Sequence, residues 1–420
     1  MMRHSKVLRG CHLVPVVVLT VIALLSLAAC TSPRPPAGTA GATGTGSALS
    51  RSGPALATSL AGSDGSSWAV VEMGATTSPL SSFWELFVRA GGSSAWRLAT
   101  PTGVASNGGL VMTQSDAGTL VTGFRPSQDL TFSPLATSAD AGAQWSVEAP
   151  LNPGLAAVPD ALAGNSAGRL LALTRTGAVE SAASVAAPWV SLTSLGVLAA
   201  GAAGRACGLT ALTAVAWTPA GAPLIAGDCS KPGVTGIFTL SGRAWIAAAP
   251  RLTGSAARGE TEVVALTTNA GRTSAVLTIG SGSAASVVAA WSADGGVHWA
   301  QSAPLPAPAL ADGGQPSVSF AADGSAGLVV TQAASHAAAN QVATIGWQAR
   351  DWDTLPALPS PSAGSGSPTS TRVATLVAPA SGAQQALEVD RGTMSVWQLG
   401  GSGWQLAQTV RVPIPYGSSG

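Results

Sequence analysis

Side chains able to act as acid, base or nucleophile are few in this 420-residue chain, and their spacing groups them poorly. Gly164-Asn165-Ser166-Ala167-Gly168 fits the G-x-S-x-G pattern, in which a serine nucleophile stands on a sharp turn between a strand and a helix. The next residues, RLLALTR, form a strand-like run, so the required helix is missing and Ser166 reads as a turn residue. A triad base is nearly unavailable, because beyond residue 29 the histidines are His298 and His336 alone. Glycoside hydrolysis would need two carboxylates facing each other across a cleft, and Glu260 with Glu262 and Asp351 with Asp353 each set two acids on one side of a strand. Adjacent carboxylates on one strand do not flank a substrate, so both pairs read as solvated charges at strand entrances. Lys231 is the one lysine beyond residue 29, which leaves a phosphate loop or a Schiff base a single candidate. Two histidines, two cysteines and scattered acids give no metal-ligand spacing, and no metal or cofactor is expected.

The elements that would carry any site are marked by tryptophan. Trp96, Trp145, Trp189, Trp245, Trp299, Trp352 and Trp404 recur at intervals of 49, 44, 56, 54, 53 and 52 residues. Each precedes a Pro- or Gly-rich run, as in AWRLATPTG and HWAQSAPLPAP, which reads as a last strand entering a turn. A unit of about 50 residues suits a four-stranded propeller blade. The fifth repeat shows the order plainly, with EVVALTT, the turn Asn269-Ala270-Gly271-Arg272, TSAVLTIG, SVVAAWS and VHWAQSA. Runs apolar at nearly every position suit strands covered on both faces by stacked neighbours. The expected fold is therefore an all-β, seven-bladed propeller over 54–416, with a tail at 417–420. A six- or eight-bladed ring, or two β domains, stays open, as does closure: Ala55 to Ala61 could complete the first blade or pair into the last, and Val410 to Ile414 competes for that place. The other six tryptophans, Trp68, Trp84, Trp217, Trp291, Trp347 and Trp397, fall on inner strands and are expected to be buried.

The N-terminus carries Arg3, Lys6 and Arg9, then an uncharged apolar segment from Leu13 to Leu27, as a secretory signal does. Leu27-Ala28-Ala29-Cys30 resembles the lipobox of bacterial lipoproteins, which implies a signal peptide at 1–29 and a lipidated Cys30 as the new N-terminus. The linker 30–53 has almost nothing to bury, and as a flexible coil would span on the order of 25 Å. The resemblance implies a protein held at the extracytoplasmic side of a cell membrane. Counted from Cys30, 17 basic and 19 acidic residues leave a net charge of −2, which argues against nucleic acid as a partner. Cys207 and Cys229 lack C-x-x-C spacing or a nearby histidine, and in an oxidising compartment read as a disulfide between neighbouring strands of the fourth repeat.

Two repeats carry a fuller pattern. Ser138-x-Asp140-x-Gly142-x-x-Trp145 and Ser292-x-Asp294-x-Gly296-x-x-Trp299 are similar to the Asp box of bacterial neuraminidase repeats, found in sialidases, photosystem assembly factors and sortilin-type receptors. In those families the box forms the hairpin between the third and fourth strands of a blade, which implies a structural role for both copies. The other repeats depart from it: Leu240 and Leu399 occupy the Asp positions of two, and three have lost both Asp and Gly. Sialidase catalysis would need an arginine triad, a tyrosine nucleophile assisted by Glu, and an Asp acid/base. Phe124-Arg125-Pro126 lacks the Ile of that family's Phe-Arg-Ile-Pro motif, and the one tyrosine, Tyr416, lies four residues from the C-terminus.

The connections between blades are left, VLAAGAAGR, PRLTGSAARGETE, LPAPALADGGQPS and LPSPSAGSGSPTSTR among them. Arg251, Arg258, Asp312 and Arg372 are the charged residues there that could meet a ligand. The sequence thus points to a membrane-anchored, non-catalytic binding or assembly module for a protein or glycan. The alternative is a sialidase-like glycoside hydrolase acting on cell-surface glycans.

Overall fold

A computed structural model describes residues 57–61, 65–74, 82–102, 109–114, 119–124, 135–147, 159–281, 284–331, 340–359, 373–377, 383–390 and 392–412, all within the compact unit Thr45–Gly420. The signal segment, Cys30, the linker, Arg125, His336, Arg372 and Tyr416 lie outside the described residues.

The chain is mostly β-sheet, built from antiparallel meanders in sequence order. The first contains β1 (Ala57–Ala61), β2 (Ser67–Gly74), β3 (Ser82–Arg89) and β4 (Arg97–Leu98). The second has β5 (Leu110–Gln114), β6 (Leu120–Phe124), β7 (Leu135–Ser138) and β8 (Ser146–Val147). The third has β9 (Pro159–Gly164), β10 (Leu170–Thr174), β11 (Ala178–Ala182) and β12 (Val190–Ser194). Two short helices come next, α1 (Leu195–Ala200) and α2 (Ala202–Cys207), then β13 (Leu209–Trp217), β14 (Pro223–Cys229), β15 (Gly236–Ser241) and β16 (Ala244–Ala247). After a 3-10 turn at Gly254–Arg258 come β17 (Glu260–Asn269), β18 (Arg272–Ser281), β19 (Ala284–Ser292), β20 (Ala300–Gln301) and a two-residue extension, β21 (Leu305–Pro306). Helix α3 (Pro308–Ala311) leads into β22 (Gln315–Phe320), β23 (Ala326–Thr331), β24 (Gln341–Ile345) and β25 (Asp353–Leu355). The last meander is β26 (Val373–Val377), β27 (Gln385–Asp390), β28 (Thr393–Gly400) and β29 (Gly403–Arg411).

From the second meander on, each first strand touches the first strand of the next; β5 touches β2 and β3 of the first meander, and β26 touches β1 and β2, so the last meander meets the first. Seams between meanders hold the core: Val276, Trp291, Val318 and Leu328 pack together at one, Val71, Phe87, Trp96, Val389 and Val396 at another. Strands β6, β10 and β26 are buried at every position, because both faces are covered. Ala57–Ala61 completes the first meander by pairing with β2, and also pairs in parallel with β22, Thr58 opposite Val318 and Leu60 opposite Phe320. Ser59 Oγ donates to the Leu376 carbonyl of β26, so β1 binds three meanders together. Val410 and Arg411 end β29 by pairing with Met394 and Thr393 of β28, and Val410 packs against the seam with the first meander.

The recurrent tryptophans stand mostly just ahead of a last strand rather than in it; β8, β20 and β25 begin immediately after Trp145, Trp299 or Trp352. Their indoles explain the offset. Trp145 Nε1–H donates to the Ala99 carbonyl (2.7 Å), Trp299 to Ala248 (3.0 Å) and Trp404 to Pro356 (2.8 Å), while Trp352 donates to Ser302 Oγ (3.1 Å). Each donor reaches back to the preceding meander. Trp96 does the same across the first-to-last seam, donating to Gln385 Oε1 (3.2 Å). There the Gln408 side chain accepts from Trp96 N–H and donates to Trp96 C=O, both at 2.8 Å, imitating a strand partner.

Several expectations are corrected. The run read as the loop VLAAGAAGR forms parts of α1 and α2, since Ser194 Oγ caps α1 by accepting from Val197 N–H and Ala and Leu favour helix. Cys207 therefore ends a helix, and the disulfide staples α2 to the end of β14 rather than joining two strands (Cα–Cα 5.2 Å). Glu262 is not a solvated charge: it is buried on β17 and accepts from Thr278 Oγ1 (3.2 Å). Trp347 lies in the turn after β24, half-buried, with its ring edge against Trp291.

Candidate ligand-binding face

A four-stranded meander returns the chain to the end where it started, so every first strand begins, and every last strand finishes, at one end of the assembly. Among the described residues, that end carries the connections made by α1 with α2, by the 3-10 turn and by α3. The opposite end carries the turns between first and second strands and between third and fourth strands, including both Asp boxes.

The two boxes have the same wiring. Ser138 Oγ accepts from Gly142 N–H (2.7 Å) and donates to Asp140 Oδ1 (2.8 Å), which accepts from Ala143 and Gln144 N–H (2.9 and 2.8 Å). Ser292 Oγ accepts from Gly296 N–H (2.8 Å) and donates to Asp294 Oδ1 (2.8 Å), which accepts from Val297 and His298 N–H (3.1 and 2.9 Å). Both aspartates are held below the usual carboxylate range. For Asp140 the leading cause is the Gln144 N–H, and for Asp294 the N–H of His298, followed by its imidazole at 2.6 Å. The left-handed turn residue is Gly295 in one box but Ala141 in the other, at φ 55°. Ser166, by contrast, sits in the β9–β10 hairpin, where Asn165 Oδ1 accepts from Ala167 and Arg169 N–H (both 3.0 Å).

Charged side chains elsewhere serve the frame. Arg169 lies over the Trp217 ring and donates to the Gly221 carbonyl, and Arg272 lies over Trp347 and donates to the Asp323 carbonyl. Burial raises Glu85 above its ordinary pKa, partly offset by its hydrogen bond from Thr100 Oγ1. Among the described residues, no group of three or more His, Cys, Asp or Glu could hold a metal ion, and no helix is long and apolar enough to cross a membrane.

The connection end of the fourth meander is built differently. Gly204 allows α2 to cross α1 closely, since a Cβ there would lie 2.0 Å from the Leu198 carbonyl oxygen. The disulfide fixes α2 against β14, and Lys231, in the turn after β14, donates from Nζ to the Arg205 carbonyl (2.6 Å) and from its N–H to Cys207 (3.1 Å). Gly233 N–H donates to the Gly259 carbonyl (2.9 Å), and a Cβ at Gly233 would lie 2.3 Å from Ala257 O, so this turn lies directly on the 3-10 turn. Of the residues singled out in the sequence, Arg251 precedes that 3-10 turn and Arg258 ends it, and Asp312 comes after α3 on the next connection; all three are exposed. Arg205 and Lys231, also exposed, lie at this end too, and they were not singled out as ligand contacts in the sequence because the disulfide and the Lys231 hydrogen bonds that bring α2 and the turn after β14 together leave no local pattern. The available signal was charge: residues 181–259 contain five basic residues and one acid, Asp228.

No protein-family model matches the chain, and no curated protein matches it. Solved structures similar to it include YCF48 bound to D1 peptide, at 14% identity, covering 80% of this chain and 96% of that one with a TM-score of 0.39. Another is the GH74 xyloglucanase from Xanthomonas campestris, at 14% identity, covering 73% and 45% with a TM-score of 0.46. A third is the intramolecular trans-sialidase from Ruminococcus gnavus, at 10% identity, covering 69% and 92% with a TM-score of 0.39. At these identities and scores, none of them assigns this chain a family or a function.

Proposed function

We propose that this chain is a lipid-anchored, extracytoplasmic β-propeller of seven blades that serves as a non-catalytic binding or assembly module for a protein or glycan. The seven meanders are the blades, Cys30 is the lipidated residue, and the Asp boxes are structural turns. The observation that carries the reading is where the reactive groups go. Asp140 and Asp294 spend their acceptors on turn amides, Ser166 belongs to a hairpin, and Glu262 is buried against Thr278. The described connections after the third, fourth and fifth meanders carry helical turns instead, and Arg251, Arg258, Asp312 and Arg372 are the ligand contacts proposed on such connections.

The test is capture of the full-length lipidated protein from its native membrane after mild crosslinking, beside a Cys30→Ala form. One partner recovered in near-equal amount with the lipidated form supports the module. Release of fluorophore from an aryl sialoside by the purified protein, above a blank, refutes the non-catalytic reading.

A further inference from the structure

The charge of this protein is unevenly spread. Residues 181–259 carry five bases and the acid Asp228, and the partly exposed Glu260 and the buried Glu262 follow directly at the start of β17 on the same end, so the exposed charge there is mainly basic. Four of those five bases, Arg205, Lys231, Arg251 and Arg258, are exposed on the connection end of the fourth meander. The fifth, Arg243, is in the β15–β16 turn at the opposite end. Three of them stand on one braced surface, since Lys231 is bonded to the Arg205 and Cys207 carbonyls and its turn is bonded to Gly259 beside Arg258, and Arg251 precedes the 3-10 turn on the same connection. Beside them Val197 of α1 points its apolar side chain into solvent at 61% exposure.

The direction of β1 adds a second constraint. β1 is parallel to β22, so Ala57 lies at the end where β22 begins, the end that α3 and the 3-10 turn lead into. The chain preceding β1 is thus attached at the same end as the basic surface.

We infer that the connection end of the fourth meander is a docking platform for an acidic phospholipid surface, with Arg205, Lys231, Arg251 and Arg258 meeting phosphate headgroups and Val197 the acyl boundary. The inference rests on the membrane placement proposed above. For Arg251 and Arg258, two of the ligand contacts proposed above, the ligand is then a lipid phosphate, and Asp312 and Arg372 stay with the protein or glycan. Basic residues near an anionic bilayer each strengthen binding several-fold, and the effect falls off within a Debye length. Among the described residues, the platform carries no exposed aromatic ring on which a sugar could stack, which sets phosphate and charge ahead of a neutral glycan.

The test uses the mature chain from residue 30 with Cys30→Ala, so neither an acyl chain nor the basic, apolar signal segment contributes to vesicle binding. It is titrated with phosphatidylcholine vesicles and with vesicles containing phosphatidylglycerol, at low and high salt. The expected result is a preference for the acidic vesicles that high salt abolishes. That preference should fall about five-fold for each of Arg251→Gln, Arg258→Gln and Lys231→Gln, and be unchanged by Arg243→Gln. Equal binding to both vesicle types overturns the inference, as does equal loss with Arg243→Gln. So does tight binding of soluble polyphosphate that acidic vesicles fail to compete away, since the occupant would then be an acidic polymer. Partner capture by the lipidated form reports separately on the module itself.

Discussion

Removing the side chain of Gln408 should open the seam between the last meander and the first. Every other seam is crossed by a covalent connection of the chain, so its two sides stay close even when noncovalent contacts break. The first-to-last seam has no such connection, and relies on side chains such as Gln408, Gln385 and Trp96. Gln408→Ala deprives Trp96 of an acceptor for its N–H and a donor for its C=O, both 2.8 Å bonds at a residue that is only 2% exposed. A buried polar group left unpaired costs about 1–3 kcal/mol. Gln408 itself is half-exposed, so water reaches part of the gap and the loss is set at about 2 kcal/mol for the pair. In a unit of this size that is a fall in Tm of about 2–3 °C. Hydrogen exchange adds the location: protection should drop at Trp96 and along β29 and β4, with little change at β13 to β19. Gln405→Ala, which removes an exposed glutamine bonded locally to Ser402, is the control. A Tm for Gln408→Ala equal to that control, or an exchange increase spread evenly over the meanders, would refute closure by these side chains.

Ser292→Ala removes the buried acceptor of Gly296 N–H and should cost about 1–3 kcal/mol in denaturant unfolding, against no measurable change for Ser402→Ala at the surface. Ala141→Gly relieves a left-handed alanine and should raise stability by a few tenths to about 1 kcal/mol; a fall in Tm would show that Ala141 is unstrained. Glu85 binds its proton more tightly folded than unfolded, so its contribution to stability is present below its ordinary pKa of 4.5 and is lost as pH rises through the raised folded value. Glu85→Gln should therefore be more stable than the parent at pH 7, with the difference closing in acid, and a difference independent of pH would contradict this. Replacing Cys207 and Cys229 by alanine should cost about 3 kcal/mol, with exchange protection lost first in α1 and α2.

The sequence was legible where a local pattern coincided with a global one. Strands such as RLLALTR and EVVALTT are apolar at successive positions because neighbours cover both faces, and they occur where expected. The tryptophan period marked the repeat, but not the reason for it, because an indole that donates across a seam leaves no trace in its own strand's pattern. VLAAGAAGR misled for a physical reason: short Ala- and Gly-rich runs carry too few apolar positions to show a helical period, and the cap at Ser194 is one residue. The burial of Glu262 was invisible because β17 pairs it with Thr278, some sixteen residues away. The basic platform could have been found from the charge balance of residues 181–259, though its coherence depends on a disulfide and turn contacts that spacing alone does not reveal.

The double pairing of β1 has a mechanical consequence. Tension on the chain ahead of Ala57 pulls along the strand's own axis. Its five residue pairs with β2 and three with β22 are then sheared together, rather than peeled one after another. A strand loaded in that way yields only when many hydrogen bonds fail at once, so a pull from the N-terminal side is distributed over the first, sixth and seventh meanders before it can unravel any one of them.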